Sequence, residues 1–424
     1  MRTNVSLIFI GLLLLVSTCV TDDGDTYKKY FIKYYGLDGD HEAADMVVNA
    51  DGTIVLIGTT EFPANSGSTK VYVVKTNAAG QVLWEKTFGN GTDFAQDIEP
   101  IPNGYVILSN MNVGVDQHNF MLIRIDNNGN KLGDSLVYDL LTDQFGQSVT
   151  PLSDGGFYVV GNTLDSDSLN TGDAGLPVNE KEDLLYVRFN TFSKFDSSQD
   201  RKGGSTLGSV VKVFETAPGV FMNAEYSNHL TDGEAVAALN FERNFVFNAF
   251  RADPRIVAGS ILYAGDGVRE EYMNQTVSSP EGSFYSIGTS IGLANSSTVF
   301  ITKTRMVSDG SNLNVLKSFE NSFGNFAEGV SIFPSGAACY VVGNIVSESD
   351  GTRDIWLTKV NSFTGDQYPA WTSGFTFGTP TNDDTGKVVA EAPNGDIIIL
   401  GTMNLTNQKK IALIKVNKVG KFLD

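Results

Sequence analysis

The chain has 424 residues, of which 41% are hydrophobic, and a formal net charge of −19 at pH 7. This hydrophobic content is enough for a large core and excludes a disordered chain. The acidic balance disfavours nucleic acid and anionic lipid headgroups as partners. It serves solubility, and binding of a cation or a basic partner is the sharper alternative.

Residues 1–18 are predicted to be a lipoprotein signal peptide. Arg2 precedes an apolar run over residues 5–16, which is too short to span a bilayer as a helix and fits the apolar part of a secretory signal. The run leads to Cys19 through a stretch that resembles a bacterial lipobox, although Thr18 departs from the usual small residue. Cys19 is therefore the predicted lipidation site, and residues 19–26 form a short acidic tether. An ordinary signal peptide cut near Cys19 is the alternative.

The cysteine content agrees with a lipid anchor. The chain has two cysteines, Cys19 and Cys339. If Cys19 carries lipid, Cys339 has no partner for a disulfide. Cys339 lies in an apolar segment, so we expect it to be a buried thiol within a strand.

A tight turn followed by a short apolar strand recurs through the rest of the chain. Asp51-Gly52 followed by Thr53-Ile54-Val55-Leu56-Ile57 is the first example, and such a turn is typical of a β-hairpin. The turn glycines are separated by 52 to 63 residues. Repeats of this length with four short strands each indicate a β-propeller. The seven turn glycines are Gly52, Gly104, Gly156, Gly219, Gly282, Gly336 and Gly395.

The two ends of the chain complete this pattern. Residues 27–36 match a fourth strand, whereas the chain stops soon after a third strand. Pairing of the two would close the ring and remove its edge strands. We therefore predict an all-β fold, a seven-bladed β-propeller of four-stranded antiparallel blades, with residues 27–424 as a single domain closed by pairing of the N-terminal strand with the C-terminal blade.

The repeat resembles one that is common in Bacteroidetes surface lipoproteins of unassigned function. The resemblance rests on third strands that end in a basic residue, such as Lys75, on the fourth strand with Trp84, and on the Asp51-Gly52 turn. It implies a lipid-anchored protein of the bacterial outer membrane, exposed at the cell surface. It implies no activity.

Acidic residues are predicted to gather at one mouth of the channel of the propeller. They fall in segments that join one blade to the next, and loops on this face are the usual binding site of such a ring. A ring of carboxylates there would bind a cation or a hydroxyl-rich ligand, although repetition of an Asp-rich turn would produce it too. The candidates are Asp38, Asp40, Asp93, Glu328, Asp383 and Asp384.

A calcium site is a second hypothesis. Asp165, Asp167, Asn170 and Asp173 lie in a long acidic loop, and oxygen ligands suit a hard cation. The loop lacks the glycine and the closing glutamate of an EF-hand, so a solvated acidic loop is the alternative. His41, His118 and His229 are also predicted to lie in loops on the same face, either as a metal site or by chance.

The sequence favours a non-enzymatic function. It contains no G-x-S-x-G, HExxH, CxxC or P-loop motif, so no catalytic residue is assigned. We expect a lipid-anchored binding or interaction platform whose partner is an envelope protein or a glycan. The alternative is a propeller-type polysaccharide lyase or hydrolase that uses acidic residues at the channel mouth. Calcium is the one cofactor that the sequence suggests.

Overall fold

The structure is a computed structural model. It describes residues 28–61, 63–114, 117–139, 143–164, 182–191, 194–202, 208–227, 243–251, 261–265, 269–292, 296–306, 313–321, 326–347 and 351–423. The predicted signal peptide, Cys19, His229 and the acidic loop with Asp165, Asp167, Asn170 and Asp173 lie outside these residues.

The described residues are almost entirely β-structure, and the helical exception is one 3-10 turn at Pro369–Trp371. No helix in this part of the chain is long and apolar enough to cross a membrane. The strands are β1 (Phe31–Tyr35), β2 (His41–Val48), β3 (Ile54–Glu61), β4 (Thr69–Thr76), β5 (Val82–Gly91), β6 (Asp93–Ile101), β7 (Gly104–Gly114), β8 (Gln117–Asp126), β9 (Leu136–Tyr138), β10 (Asp143–Pro151), β11 (Phe157–Leu164), β12 (Glu182–Thr191), β13 (Lys194–Lys202), β14 (Gly208–Ala217), β15 (Val220–Ser227), β16 (Asn244–Phe250), β17 (Leu262–Ala264), β18 (Glu270–Ser278), β19 (Ser283–Ile291), β20 (Ser297–Met306), β21 (Leu313–Asn321), β22 (Ala327–Ser335), β23 (Ala338–Val346), β24 (Arg353–Asn361), β25 (Phe375–Phe377), β26 (Thr385–Glu391), β27 (Ile397–Leu405) and β28 (Gln408–Val416).

These strands form seven antiparallel four-stranded sheets, which are the blades of a propeller. We number the blades in chain order: blade 1 is β2–β5, blade 2 is β6–β9, blade 3 is β10–β13, blade 4 is β14–β17, blade 5 is β18–β21 and blade 6 is β22–β25. The predicted fold is confirmed. The turn before each second strand bends as the sequence suggests: Gly52 has a φ of 80° and Asn103 takes the same left-handed conformation at 70°.

Blade 7 joins the two ends of the chain. Its strand order is β1-β28-β27-β26, so the N-terminal strand is the outermost strand of the last blade. The register runs from Phe31 opposite Lys415 to Tyr35 opposite Ile411. The sheet therefore closes the ring as predicted, and the outer edge of β28 is covered.

Apolar side chains fill the spaces between blades. Seven hydrophobic clusters are present in the described residues, each joining two neighbouring blades. In the second strand of blade 1, Ile54 to Ile57 are all buried because blades cover both faces of the sheet. Each fully buried aliphatic side chain stabilises the fold by about 1.5–3 kcal/mol.

The first strand of every blade contains a β-bulge at the same height. The bulge is an irregularity of pairing with the second strand, and it adds one residue to the first strand. The added residues are Ala44, Gln96, Gln147, Val211, Asn274, Val330 and Lys387. The first strand is an edge strand of each sheet, and these seven residues surround the axis of the ring.

Candidate functional site

A polar channel of about 720 Å³ runs along the axis of the ring. Residues from the first strands of all seven blades line it, among them the seven bulge residues. Its wall combines backbone, amides and charges of both signs. The channel is therefore the space where ligands of a propeller are expected to enter.

In four blades the residue after the bulge accepts a hydrogen bond from the next blade. The Asp45 carboxylate of blade 1 accepts the Ile98 N–H of blade 2 at 3.1 Å, and the Asp97 carboxylate accepts the Val149 N–H of blade 3 at 2.7 Å. Gln275 and Ser331 repeat the arrangement between blades 5, 6 and 7 at 2.9 and 3.0 Å. The first strand is an edge strand of its sheet, so these side chains satisfy N–H groups that face away from the second strand.

Blade 4 breaks this pattern with a lysine. The Lys212 ammonium reaches back over blade 3, where it donates to the Val149 carbonyl at 3.1 Å, and contacts Asp97 at 3.2 Å and Glu99 in blade 2. Its side chain is 13% exposed. Together with Asp45, these groups form a cluster of three carboxyls around one ammonium in the channel wall.

The cluster shifts the titration of its members. Burial, followed by the negative charge of Asp97, holds the pKa of Asp45 well above its usual range. Burial also raises the pKa of Glu99, against the opposing effect of Lys212. Burial alone would lower the pKa of Lys212, but the attraction of Asp97 and Glu99 outweighs it and raises that pKa. Of the two carboxyls whose pKa is raised, Asp45 lacks the direct contact with the ammonium that Glu99 has.

A second pocket of about 320 Å³ adjoins the channel, and Gln147 lines both spaces. We call it the His118 pocket. It lies at the end of the ring where the first strands begin, since it contains Asp143, the first residue of β10. Its lining residues are His118, Asp143, Phe145, Gln147, Asn162, Ser209 and Tyr226.

A histidine–aspartate pair forms the polar end of this pocket. His118, near the start of β8, donates its backbone N–H to Asp143 Oδ1 at 2.7 Å, and its ring Nδ1 lies 2.8 Å from the same oxygen. The edge of the imidazole meets the Phe145 ring at a centroid distance of 6.1 Å. These contacts hold the ring so that Nε2 is the nitrogen available to a ligand.

Aromatic and charged groups extend from the far side of the pocket. Tyr226 packs against Tyr272 with ring centroids 5.7 Å apart. Arg243 donates to the Tyr272 hydroxyl at 2.7 Å and pairs with Glu270 at 3.2 Å. Burial and Glu270 raise the pKa of Tyr272 to about 12, so this phenol stays protonated at neutral pH.

The six acidic residues predicted at the channel mouth are not brought together. Asp93 and Glu328 were expected in loops between blades, but both lie within first strands. Glu328 lines the channel, where it pairs with Arg353 at 3.2 Å, and the other five lie outside the channel wall.

Four of these five carboxylates accept backbone N–H groups near the ends of strands. Asp93 Oδ2 accepts from Asn90 at 2.6 Å, and Asp384 Oδ1 accepts from Asn404 at 2.7 Å. Asp40 and Asp383 do the same at the surface, bonding Lys409 and Arg353 at 2.9 and 2.8 Å. Asp38 is exposed. The four bonded carboxylates therefore fix the conformation of connecting segments.

Two of the three histidines fall in the described residues, and each begins a strand instead of lying in a loop. His41 is fully buried, with Nε2 2.9 Å from the Leu37 carbonyl, and burial lowers its pKa. Within the described part of the chain, no group of three or more His, Cys, Asp or Glu side chains could hold a metal. Cys339 is buried as expected, and burial raises its pKa to about 12.

Residues of the channel cluster could have been identified in the sequence from their distance to the turn glycines. Asp45, Asp97 and Lys212 each lie seven residues before a turn glycine: Gly52, Gly104 and Gly219. The same offset locates Gln275 before Gly282. The His118–Asp143 pair has no such signal, because a variable loop separates its two residues.

Comparisons with known proteins support the fold. No family model matches the chain, and no curated protein matches it. An ulvan lyase of a polysaccharide lyase family is similar in structure, with 8% identity, a TM-score of 0.51, and coverage of 91% of this chain and 96% of the lyase. A protein of unknown function from Dyadobacter fermentans has 10% identity and a TM-score of 0.47 over 91% and 97% of the two chains. An alpha-L-arabinanase from Penicillium chrysogenum has 11% identity and a TM-score of 0.43 over 76% and 92%. At these identities the likeness shows a propeller and no shared activity.

Proposed function

We propose that this chain is a lipid-anchored protein of the bacterial outer membrane that binds a glycan in the His118 pocket. The observation that carries the proposal is the His118–Asp143 pair, which faces Asn162 and Tyr226 across a pocket of about 320 Å³ beside the channel mouth.

The lining of the pocket matches the chemistry of a sugar ring. Asp143 and Asn162 offer hydrogen-bond acceptors, while His118 and Asn162 offer donors at fixed positions. Phe145 and Tyr226 present aromatic surface, on which the apolar face of a pyranose can pack. A few convergent polar groups on an aromatic wall are typical of small-ligand sites.

The proposed anchor is compatible with an open site. β1 begins at Phe31 and occupies the outermost position of blade 7. A lipid on Cys19 would therefore reach the ring at its outer edge, away from the channel axis. The channel mouth and the His118 pocket would remain accessible to a ligand outside the membrane.

Cleavage of the bound glycan is the second candidate function. Asp143 fixes the Nδ1 side of His118, which leaves Nε2 to take or give a proton at a ligand held in the pocket. A lyase or a hydrolase would both use such a group. The ulvan lyase, whose structure is similar to this chain, is a polysaccharide lyase, and this is the reason to include a turnover assay in the test.

The test combines a glycan array with calorimetry and a turnover assay on the same protein. We expect a glycan ligand, and we expect Asn162→Ala and Tyr226→Ala to weaken its binding at least tenfold, the loss of about one buried hydrogen bond or one aromatic contact. His118→Gln removes the titratable nitrogen. If the protein is a binding platform, this variant changes affinity and no product forms with either protein.

Phe363→Ala is the matched control, because Phe363 is a 64% exposed aromatic residue in the loop between β24 and β25. It should leave affinity unchanged. Product formation that His118→Gln abolishes, with affinity retained, would establish the cleavage function instead. The glycan proposal would be wrong if the array showed no ligand and a detergent pull-down recovered a membrane protein in stoichiometric amount. The partner would then be a protein.

A further inference from the structure

A buried carboxylate lies between blades 3 and 4 without a cationic partner in the described residues. Glu225, on β15, is 1% exposed and lies in an interface of Tyr158, Val160, Phe221 and Phe250. The groups that donate to its carboxylate are the Tyr186 hydroxyl at 2.8 Å and the side-chain amide of Asn223. Both donors are neutral. A carboxylate in apolar surroundings is unfavourable unless its charge is balanced.

Oxygen atoms without partners surround this carboxylate. Asn223, Glu225 and Ser227 alternate along β15, so their side chains share one face of the sheet. Asn248 lies directly opposite Asn223 on β16 and therefore joins the same face. Tyr186 of blade 3 contacts Glu225, which shows that this face looks toward blade 3.

Each of the three polar neighbours is buried and unsatisfied. Asn223 is fully buried, and Ser227 and Asn248 are each 1% exposed. Within the described residues, Asn223 Oδ1, Asn248 Oδ1 and Ser227 Oγ have no hydrogen-bond partner. Ser227 lies four residues beyond Asn223, about 13 Å along the strand, so the amide oxygens of Asn223 and Asn248 are the two that can share a ligand with Glu225. A buried polar atom left unpaired costs about 1–3 kcal/mol.

We propose that these residues bind a monovalent metal cation of the size of Na⁺ between blades 3 and 4. Oxygen ligands from carboxylate, amide and hydroxyl groups are those that a hard cation prefers. A monovalent ion matches the single charge of Glu225, and it would satisfy the amide oxygens of Asn223 and Asn248 together. This site is separate from the acidic loop of residues 165–173 that the sequence suggested for calcium.

The position of the site connects it to the His118 pocket. Tyr226 stands between Glu225 and Ser227 in the chain and lines the pocket from the opposite face of β15. A bound cation would fix the strand that carries Tyr226. The cation site does not depend on the glycan proposal, since neither its ligands nor its test involve a sugar.

The first experiment measures the melting temperature of the full chain in NaCl and in N-methylglucamine chloride at equal ionic strength. Na⁺ should raise the melting temperature by on the order of 1–2 °C for each tenfold increase above its dissociation constant, because binding to the folded state alone stabilises it. Glu225→Gln should remove the difference between the two salts. Equal melting temperatures of the wild type in both salts would refute the site.

Glu42→Gln is the matched control, since Glu42 is a surface carboxylate with a side chain 57% exposed. This variant should keep the response to Na⁺. A Na⁺ response that survives in Glu225→Gln would contradict the proposal. If that variant does not fold, Asn248→Ala takes its place, with an expected loss of affinity of at least tenfold.

Crystals of the wild type grown with Tl⁺ provide a readout that needs no variant. An anomalous peak among Asn223, Glu225 and Asn248 would support the site. Ordered water at that place without an anomalous peak would overturn it.

Discussion

At the scale of single residues, Asp45 shows how the ring treats charge in its channel. Both oxygens of its carboxylate accept backbone N–H groups, from Met46 at 2.8 Å and Ile98 at 3.1 Å. These bonds favour the charged form, whereas burial and Asp97 favour the neutral form and prevail. The channel therefore keeps a carboxylic acid protonated beyond the usual pH range of an aspartate.

Asp45→Asn should make the fold less sensitive to pH. The folded-state pKa of Asp45 lies above the unfolded value of about 3.9, so the stability that its proton contributes is complete below that pH and is lost as pH rises through the folded pKa. Asparagine does not titrate. Within this window, the difference in the free energy of unfolding between the variant and the wild type should therefore increase by up to about 1.4 kcal/mol per pH unit, in favour of the variant.

Asp51→Asn provides a control of opposite sign. Hydrogen bonds from the Thr53 side chain and backbone lower the pKa of Asp51, so its contribution is present above about pH 4 and is lost as pH falls. This variant should lose stability relative to the wild type as pH rises to about 4, and the difference should be constant above that pH. Urea denaturation of the three proteins between about pH 2 and about pH 8 covers both windows, and a constant difference between wild type and Asp45→Asn would contradict the role given to Asp45.

At the scale of elements, the bulge and the residue after it are the repeating joint of the ring. Ser331 Oγ accepts the Val389 N–H at 3.0 Å and donates to Gln275 Oε1 at 2.9 Å, while Gln275 Oε1 also accepts the Ile332 N–H. Ser331 is fully buried. One short chain of hydrogen bonds thus connects blades 5, 6 and 7.

Ser331→Ala should destabilise the protein by about 1–3 kcal/mol, because the Val389 N–H is then buried without an acceptor. A double-mutant cycle with Gln275→Leu should show coupling of at least about 0.5 kcal/mol, measured by chemical denaturation. Ser109→Ala is the control: Ser109 is equally buried, but its hydroxyl only donates to the Asn110 carbonyl at 3.3 Å. Additive effects in the cycle would exclude the proposed joint.

The sequence predicted strands well where both faces of a strand are in the same environment. Second strands are covered on both faces, so Ile54-Val55-Leu56-Ile57 is a continuous apolar run after a glycine turn. Fourth strands such as β5 are mostly exposed and leave a weaker pattern. In blade 4, Ala249 takes the position opposite Met222 that Lys75 takes opposite Val55, so the basic residue of the other third strands is replaced there.

The candidate sites were less predictable because they depend on contacts between blades. Asp93 and Asp384 were chosen for their acidity, and a local sequence does not reveal that they already accept backbone N–H groups of strand ends. Lys212 acts on Asp97 and Glu99 across an intervening blade. Only the common register of the bulges places those residues at one height in the channel.

At the scale of the whole molecule, stability depends on a ring that must close. Blade 7 takes its outermost strand from the N-terminus, and blade 1 follows directly after it. A second type of bond between blades crosses the closure: Ala43 of blade 1 donates its N–H to the Thr402 hydroxyl of blade 7 at 2.9 Å, as Ala95 of blade 2 does to Thr59 of blade 1 at 3.0 Å. Tyr35 adds a bond from its hydroxyl to the Gly80 carbonyl of blade 1 at 2.7 Å. The contacts between blade 7 and blade 1 therefore form only when the two ends of the chain come together.

A chain that starts at residue 37 should lose this closure, whereas a chain that starts at residue 28 should retain it. Removal of β1 exposes the edge of β28 from Ile411 to Lys415 and uncovers part of the cluster that Phe31 and Tyr35 complete. Each of these two aromatic residues buries enough apolar surface to contribute about 1.5–3 kcal/mol, so the shorter chain should melt several degrees lower and should aggregate through the open edge. Differential scanning calorimetry and light scattering on the two purified chains make the comparison.

Addition of a synthetic peptide covering residues 28–36 should restore part of the lost stability, because it can pair with β28 in the same register. A shorter chain that remains monomeric and melts with the longer one would show that the blades hold together without closure.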